Sequence, residues 1–223
     1  MKDARKTKKQ LLDELAELRR QIAIGYSALG QHEHAIEGYD EAVRLKPKYA
    51  SAYINRGNAY HALGQEERAI GDYDEAIGLD PNNFAAYNNR GSAYRALGKH
   101  ERAIKDYDEA LRLNPKCSAA FNNRGSAYRD MGQHKRAIDD YNEAIRLDPK
   151  DSEFFINRGN TLARLCEYGH SIEDYNEAIR LNPNYWDAYN NRGVTLKRLG
   201  KYVESERDFA IADKLRSAAG GNQ

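Results

Sequence analysis

The amino-acid sequence predicts an all-α solenoid built from antiparallel helix pairs. Prolines recur at a constant step of 34 residues: Pro47, Pro81, Pro115, Pro149 and Pro183. Aromatic, glycine and alanine positions recur with the same period, so whole columns align when the chain is written in rows of 34. A period of this length with two helical segments is typical of helical repeat arrays, whose units bury their apolar faces against each other.

Four columns of residues carry this period. One aromatic column falls on the first helical segments: Tyr53, Tyr87, Phe121, Phe155 and Tyr189. A glycine column follows it: Gly57, Gly91, Gly125, Gly159 and Gly193. A second aromatic column falls on the second segments: Tyr39, Tyr73, Tyr107, Tyr141, Tyr175 and Phe209. An alanine column accompanies it: Ala42, Ala76, Ala110, Ala144, Ala178 and Ala212. Large and small residues at helical spacing predict close packing between helices rather than a cofactor site.

The period divides the chain into a leader, six repeats and a short tail. The expected divisions are a leader over residues 1–15, repeats over 16–49, 50–83, 84–117, 118–151, 152–185 and 186–219, and a polar tail over 220–223. In the second repeat we expect helices from Ala50 to Leu63 and from Glu67 to Leu79. Gly64 ends the first helix because glycine is favoured just past a helix C-terminus. Pro81 ends the second because proline lacks an N–H and restricts the residue before it.

The leader is predicted to continue into one long helix from about Lys8 to Leu29, with Thr7 as its N-cap. Its apolar residues follow helical spacing: Leu11, Leu12, Leu15, Leu18 and Ile22. The segment resembles short coiled-coil leaders that precede sensory domains in bacterial signalling proteins. At the other end, Val203, Phe209, Ile211 and Leu215 have no further repeat to cover them. A terminal repeat needs a polar outer face, so both ends are expected sites of self-association.

Composition and charge disfavour several function classes. The 35 Lys and Arg residues nearly balance the 34 Asp and Glu residues, which leaves a net charge of +1. Nucleic-acid and membrane-surface binding need clustered basic surface, so neither partner is expected. No apolar run approaches the ~20 residues of a membrane span, and the charged residues 1–10 do not resemble a signal peptide, so a cytoplasmic protein is expected. The sequence lacks nucleophile–base, HExxH and P-loop motifs. We therefore expect no enzymatic activity and no cofactor.

Two stretches resemble the two helices of the tetratricopeptide repeat family: AYNNRGSAY over residues 86–94 and AIKDYDEAL over residues 103–111. The resemblance covers about residues 16–219. It implies a right-handed superhelix whose first helices line the concave face and whose second helices form the convex face. It also implies a non-enzymatic scaffold or adaptor that holds an extended protein or peptide segment in the concave groove. A self-assembling module that oligomerises through its terminal helices is the alternative from a different class.

An asparagine column lies on the first helices, on the groove side by the family resemblance: Asn55, Asn89, Asn123, Asn157 and Asn191. A carboxamide can pair with both the N–H and the C=O of an extended chain, which predicts sequence-tolerant reading of a peptide backbone. Bridging between neighbouring helices is the alternative role. The other candidates for peptide binding are Asn58, Asn88, Asn122, Arg95 and Arg129. The basic residues of the family's carboxylate clamp are missing, because Ile54, Asn88 and Asn122 occupy matching positions.

The predicted groove has rims of opposite charge. Basic residues lie toward the C-terminal ends of the first helices: His61, Arg95, Arg129, Arg164, Lys197 and Arg198. Acidic residues lie toward the N-terminal ends: Glu17, Glu153 and Asp187. The helix macrodipole alone favours this placement. Orientation of a charged peptide is the functional interpretation.

Arginine replaces the family's usual leucine in one first-helix column, and an aspartate follows each arginine by 16 residues. The pairs are Arg56–Asp72, Arg90–Asp106, Arg124–Asp140, Arg158–Asp174 and Arg192–Asp208. The first repeat lacks both members, because it has Ile22 and Gly38. We expect ion pairs that bridge helices, with the aspartate nearer to solvent. Arginines that project into the groove and bind phosphate or RNA are the alternative.

Histidines and cysteines give weaker signals. Histidines occupy three equivalent turns, His32, His100 and His134, at separations too large for one metal ion. Cys117 lies between repeats and Cys166 replaces the glycine of a turn inside a repeat, so no disulfide within the chain is expected. We also expect a distorted turn at Cys166, because a non-glycine residue resists positive φ.

Overall fold

The computed structural model describes residues 6–220, with side chains through residue 218, and within that range the chain forms twelve α-helices and no strand. The chain divides into two compact units. The first, through Pro115, holds α1 (Lys8–Ala28), α2 (His32–Leu45), α3 (Ala50–Ala62), α4 (Glu66–Leu79), α5 (Phe84–Ala96) and α6 (His100–Leu113). The second holds α7 (Ser118–Asp130), α8 (His134–Leu147), α9 (Ser152–Arg164), α10 (Tyr168–Leu181), α11 (Trp186–Arg198) and α12 (Tyr202–Gly220). The first five residues of the predicted leader and the last three of the predicted tail lie outside the described residues.

Helices pack in antiparallel pairs within each unit. The pairs are α1–α2, α3–α4 and α5–α6 in the first unit, and α7–α8, α9–α10 and α11–α12 in the second. The second helix of a pair also contacts the first helix of the next, as in α2–α3, α4–α5, α8–α9 and α10–α11. Consecutive first helices touch as well, as in α3–α5 and α9–α11. The predicted all-α fold of helix pairs is confirmed.

Residues of left-handed backbone form the turns inside the pairs. The glycines there have φ between 69° and 75°: Gly30, Gly64, Gly98, Gly132 and Gly200. Cys166 takes the same place between α9 and α10 with a φ of 62°. Its amide donates to the carbonyl of Ala163 at 3.2 Å, as the amide of Gly64 does to that of His61 at 2.9 Å. The predicted distortion of this turn is therefore wrong: the cysteine accepts the left-handed conformation and the turn keeps its geometry.

Tyrosines and glycines make the closest contacts between paired helices. The tyrosines of the second-helix column are almost completely buried: Tyr39, Tyr73, Tyr107, Tyr141 and Tyr175. A Cβ atom placed on Gly91 would lie 2.7 Å from the Tyr107 ring, and one on Gly57 would lie 2.7 Å from the Tyr73 ring. Glycine is required there because the ring of the facing helix occupies the space of a side chain. The packing role predicted for this aromatic column is confirmed.

The two end helices extend beyond the length of the others. Thr7 caps α1 through a capping box, in which its Oγ1 accepts from the Gln10 amide and the Gln10 side chain accepts from the Thr7 amide. The predicted long first helix is confirmed. The last helix continues to Gly220, past Ser217, which stands where earlier repeats have proline. No helix within residues 6–220 is long and apolar enough to cross a membrane.

Candidate functional site

The arginine column of the first helices is bound to aspartates of the second helices. In each of the five predicted pairs, arginine Nε donates to Oδ2 at 2.7–2.9 Å and Nη2 donates to Oδ1 at 2.6–2.7 Å. The predicted ion pairs are confirmed. The Asp106 side chain is 9% exposed, whereas the Arg90 side chain is 19% exposed, and the other pairs are alike. The expectation that the aspartate lies nearer to solvent is therefore wrong, because the long arginine side chain reaches inward to a carboxylate held between helices.

Arginines of this column also bond to a residue of the preceding helix pair. The Nη1 donors and their acceptors are Arg56–Asp40, Arg90–Asp74, Arg158–Asn142 and Arg192–Asn176, at 2.5–2.7 Å. The sequence signal for these acceptors is a column of Asp or Asn placed 16 residues before each arginine, which the sequence analysis missed. The guanidinium groups of these arginines thus connect consecutive helix pairs. Their hydrogen-bonding capacity serves the fold.

Burial and pairing act in opposite directions on the carboxyl groups. Burial has the largest influence and raises the pKa of Asp106 above its ordinary value, and the hydrogen bonds from Arg90 offset this only in part. The same causes raise the pKa of Asp72. On the other side of the pair, the hydrogen bond to Asp106 raises the pKa of Arg90. The guanidinium therefore stays charged, and any change of protonation in the pair falls on the carboxyl.

The asparagine column bridges neighbouring first helices. Its Nδ2 donors and their Oδ1 acceptors are Asn89–Asn58, Asn157–Asn122 and Asn191–Asn160, at 2.9, 3.0 and 3.1 Å. Asn88 donates in turn to Asn89 at 3.2 Å. Asn55 and Asn123 lie half-buried at the same position on α3 and α7. The sequence analysis missed Asn160, although it occupies the same column as Asn58. A carboxamide has two N–H groups, so the bridges leave one N–H of Asn89 and of Asn191 for a further acceptor, whereas Asn157 also donates to Glu153.

A groove of about 450 Å³ opens on the first helices of the second unit, between α7, α9 and α11. We call it the basic groove, after the arginines that line it. Its lining residues are Arg129, Asp130, Asn160, Ala163, Arg164, Tyr175, Asn191, Val194, Thr195 and Arg198. One arginine comes from each helix, and Asp130 supplies one opposing charge. The predicted basic rim residues of this unit are thus brought together, apart from Lys197.

Internal hydrogen bonds hold the floor of the basic groove. The Tyr175 hydroxyl donates to Oδ1 of Asn160 at 2.8 Å, and the Thr195 hydroxyl donates to the Asn191 carbonyl at 2.9 Å. Arg129 is held as well, because its Nη1 donates to Oδ1 of Asn157 at 3.3 Å. The floor side chains therefore stay in place whether or not a ligand is present.

The remaining rim residues of the second unit lie outside the basic groove. Lys197 is exposed on α11. Glu153 accepts from Asn157 at 3.5 Å, which joins it to the asparagine column. Asp187 is half-buried at the start of α11, and burial raises its pKa.

The rim residues of the first unit engage in local contacts. Nδ1 of His61 lies 2.6 Å from Oε2 of Glu66, at the turn between α3 and α4. Arg95 is half-buried on α5. Glu17 accepts from Arg20 at 2.8 Å, and this hydrogen bond is the main reason that its pKa is lowered.

The histidines and cysteines form no cluster. Nδ1 of each turn histidine, His32, His100 and His134, is buried without a hydrogen-bond partner. Among residues 6–218, no group of three or more His, Cys, Asp or Glu side chains has the arrangement of a metal site. Cys117 is half-buried, Cys166 is exposed and both are free.

Comparison with protein families agrees with this architecture. A family profile described as tetratricopeptide repeat matches residues 88–152. A profile described as TPR repeat matches residues 26–64, 57–94 and 167–200. This chain belongs to the tetratricopeptide repeat family. Membership of this family indicates a scaffold for protein–protein interaction. No curated protein sequence matches the chain.

Solved structures of tetratricopeptide repeat proteins share the fold. A structure of Pseudomonas aeruginosa pilF has a TM-score of 0.75 at 20% identity, over 90% of this chain and 90% of that one. TTC0263, a thermophilic TPR protein of Thermus thermophilus, has a TM-score of 0.72 at 19% identity, over 81% and 98% of the two chains. YrrB, described as a TPR protein with an unusual peptide-binding site, has a TM-score of 0.60 at 24% identity, over 82% and 94%. At these identities the likeness concerns the fold alone.

Proposed function

We propose that this tetratricopeptide repeat protein is a scaffold that binds an extended, acidic protein segment along the first helices of its second unit. The observation that carries the proposal is the convergence of Arg129, Arg164 and Arg198 on one groove of about 450 Å³. Guanidinium groups match the planar geometry of carboxylates and pair with them through two parallel hydrogen bonds. With Asp130 as the single acid in the lining, the groove carries a positive excess.

Arg164 and Arg198 differ from most other arginines of the chain. The arginines of the first-helix column are bound to buried aspartates, and several arginines of the second helices pair with a glutamate three residues earlier, as Arg146 does with Glu143. Within residues 6–218, neither Arg164 nor Arg198 has a hydrogen bond or ion pair to another residue. A carboxylate that enters the groove therefore gains two charged donors without breaking an internal pair.

The asparagine column supplies the second part of the proposal. We expect the asparagine N–H groups that are not used in the bridges to bind the backbone of the bound segment. The arginines would then select acidic side chains, whereas the asparagines would accept any backbone sequence. In the second unit the proposed peptide-binding residues are Asn122, Asn123, Asn157, Asn191 and Arg129. The candidates of the first unit, which are Asn55, Asn58, Asn88, Asn89 and Arg95, stay predictions from the sequence. YrrB, which shares this fold, is a TPR protein with an unusual peptide-binding site. A cytoplasmic location stays a prediction from the sequence.

The test uses fluorescently labelled peptides of about ten residues and measures their fluorescence anisotropy. The probes are a glutamate-rich peptide and two counterparts in which glutamine or lysine replaces glutamate. We expect binding of the glutamate peptide that weakens as salt rises, because exposed charges are screened. The double variant Arg164→Glu/Arg198→Glu should weaken binding by about tenfold or more, which corresponds to ~1.4 kcal/mol.

A matched control reverses the same number of charges on the second helices. Arg146 and Arg180 lie on α8 and α10, where each pairs with an exposed glutamate. The variant Arg146→Glu/Arg180→Glu should bind the glutamate peptide as the wild type does. Equal weakening by both double variants would show that net charge, rather than the basic groove, attracts the peptide. Equal binding of all three peptides would contradict the acidic preference.

We also propose self-association through the end helices as a second candidate function. The observation that favours it is the exposure of large apolar residues there, with Leu29 after α1 at 74% and Val203 on α12 at 73%. Deleting residues 1–15 should change the oligomeric state measured by sedimentation. Ile211 is half-buried, so charging Val203 is the cleaner test of the last helix. A full-length protein that stays monomeric at high concentration would contradict this candidate.

A further inference from the structure

A stripe of exposed apolar residues runs along α1 and just past its end. Its members are Leu11, Leu15, Leu18, Ile22 and Leu29, all of them between 39% and 74% exposed. Their spacing is four, three, four and seven residues, with Gly25 at the position that would split the last interval. This is the spacing of the core positions a and d of a coiled coil, with Leu15, Ile22 and Leu29 at a and Leu11 and Leu18 at d. We call these five residues the α1 stripe.

The α1 stripe lies away from the side of α1 that packs on its own unit, although Ile22 also lines a groove with residues of α2. Ala16 and Ala23 are fully buried, and a Cβ atom at Gly38 of α2 would lie 2.8 Å from the Cβ of Ala23. Arg20, on the same side, donates to the Tyr49 hydroxyl at 2.7 Å. At about 100° per residue, this packed side lies about 140° around the helix from the stripe. The helix therefore has its intramolecular neighbour and still exposes a second apolar surface.

The charges that flank the α1 stripe favour a second copy of this chain as the covering partner. Glu14 occupies position g and Arg19 occupies position e of the next heptad. In a parallel pair of helices in register, g of one helix faces the following e of the other, so Glu14 meets Arg19 of the second copy on both sides. An antiparallel pair sets g against g and e against e, which gives no such pair. A membrane-surface helix would carry a mainly basic polar face, whereas α1 has three acidic residues beside four basic ones.

We propose that α1 forms a parallel, two-stranded coiled coil with α1 of a second copy of this chain. The proposal rests on the self-association candidate above and names its helix, partner and orientation. Leucine at d and Ile22 at a suit two strands. Lys8 and Gly25 fall at core positions and weaken the seam, so the dimer forms and dissociates with concentration. Dimerisation brings two basic grooves into one assembly, which raises the avidity for a partner with two acidic segments.

Sedimentation velocity of the full chain over a range of concentrations tests the assembly. We expect a monomer–dimer equilibrium in the wild type and a monomer at every concentration for Leu18→Glu. Val203→Glu places the same charge on an exposed apolar residue of α12 and tests the last helix as the competing interface. A dimer that forms through α1 should survive this substitution. A monomeric wild type would overturn both the self-association candidate and this proposal. A dimer that Val203→Glu abolishes and Leu18→Glu does not would keep self-association and overturn the role of α1.

Disulfide trapping tests the orientation. In a Cys117→Ser/Cys166→Gly background, Leu11→Cys should give a disulfide-linked dimer under mild oxidation, because parallel strands in register bring the two Leu11 positions within the ~7 Å that a disulfide needs. Gln10→Cys, on the exposed outer side, should not crosslink. Glu14→Arg and Arg19→Glu should each weaken the dimer, and their combination should restore it. A sedimenting dimer without the Leu11→Cys crosslink, or without the charge-swap rescue, would overturn the parallel arrangement.

Discussion

Replacing either partner of the Arg90–Asp106 pair tests which loss lowers the stability of the fold more: the cation of a buried carboxylate or the anion of a partly exposed guanidinium. Asp106 is 6% exposed, and its two oxygens accept from Arg90 at 2.8 and 2.7 Å. Arg90 has a further acceptor in Asp74 at 2.5 Å. Arg90→Leu therefore leaves a buried carboxylate without its cation, whereas Asp106→Ala leaves a partly exposed cation that still has an anion. We expect Arg90→Leu to destabilise the fold more.

The stability cost of each variant depends on whether a carboxyl that has lost its cation takes up a proton. Removing one partner of a buried pair costs ~3–5 kcal/mol. A carboxyl without its cation can instead take up a proton. Protonating a carboxyl at pH 7, when its ordinary pKa is about 3.9, costs about 4 kcal/mol. Arg90→Leu should therefore cost about 3–4 kcal/mol at pH 7. Asp106→Ala loses hydrogen bonds to a charged group that keeps Asp74, so we expect about 1–2 kcal/mol.

The two variants also differ in their dependence on pH. Burial raises the pKa of Asp106 in the folded state, so a stranded Asp106 binds its proton more tightly in the folded than in the unfolded chain. Stability from such a group is fully present below the unfolded pKa and is lost as pH rises through the folded pKa. The cost of Arg90→Leu should thus shrink to about 1.5 kcal/mol at pH 5. The cost of Asp106→Ala should not follow this trend, since it removes the carboxyl.

Urea unfolding followed by circular dichroism at pH 7 and pH 5 measures these costs. The control is Arg112→Leu, which removes an exposed pair with Glu109 and should change stability by less than about 0.5 kcal/mol. The double variant Arg90→Leu/Asp106→Leu should recover most of the loss, because an apolar pair leaves no stranded charge. A larger cost for Asp106→Ala than for Arg90→Leu at pH 7 would refute the reasoning. So would a cost of Arg90→Leu that is the same at both pH values.

Three further predictions concern close contacts, a strained turn and the asparagine column. Gly91→Ala should destabilise by about 1–3 kcal/mol in urea unfolding, because its Cβ meets the facing tyrosine ring at 2.7 Å; Gly71→Ala, with nothing within 4 Å, should stabilise by about 0.5–1 kcal/mol, and the reverse order would contradict the packing. Cys166→Gly should raise stability by about 1 kcal/mol, since glycine adopts a φ of 62° without strain; an unchanged midpoint would show that the turn is unstrained. Asn191→Ala, in the lining of the basic groove, should weaken binding of the glutamate peptide by about 0.5–1.5 kcal/mol for a lost hydrogen bond, and loss of the bridge to Asn160 should lower the melting temperature slightly. Undiminished affinity would remove backbone reading by this column.

The helix pairs, and the residues that meet inside each pair, could be predicted from the sequence. The 34-residue period, with its glycines and prolines, predicted α3 and α4 within one residue at each end, because turn chemistry and helical spacing act locally along the chain. The pairing of Arg90 with Asp106 was also predictable, because a hairpin of two helices brings residues 16 apart to one level and the first repeat lacks both. The candidate site was predicted only in part: the basic rim was expected, but the sequence did not show that Arg129, Arg164 and Arg198 share one groove without Lys197.

The burial of each paired side chain and the contacts between successive helix pairs became apparent only in the folded structure. It placed Asp106 deeper than Arg90, and it supplied Asp74 as a second acceptor, because both depend on the distance between helices that pack rather than on residue order. Cys166 kept the left-handed turn for the same reason: α9 and α10 pack on each other firmly enough to impose the backbone on a residue that disfavours it. Local preference sets where helices begin and end, whereas packing sets which charges are buried and which remain for a partner.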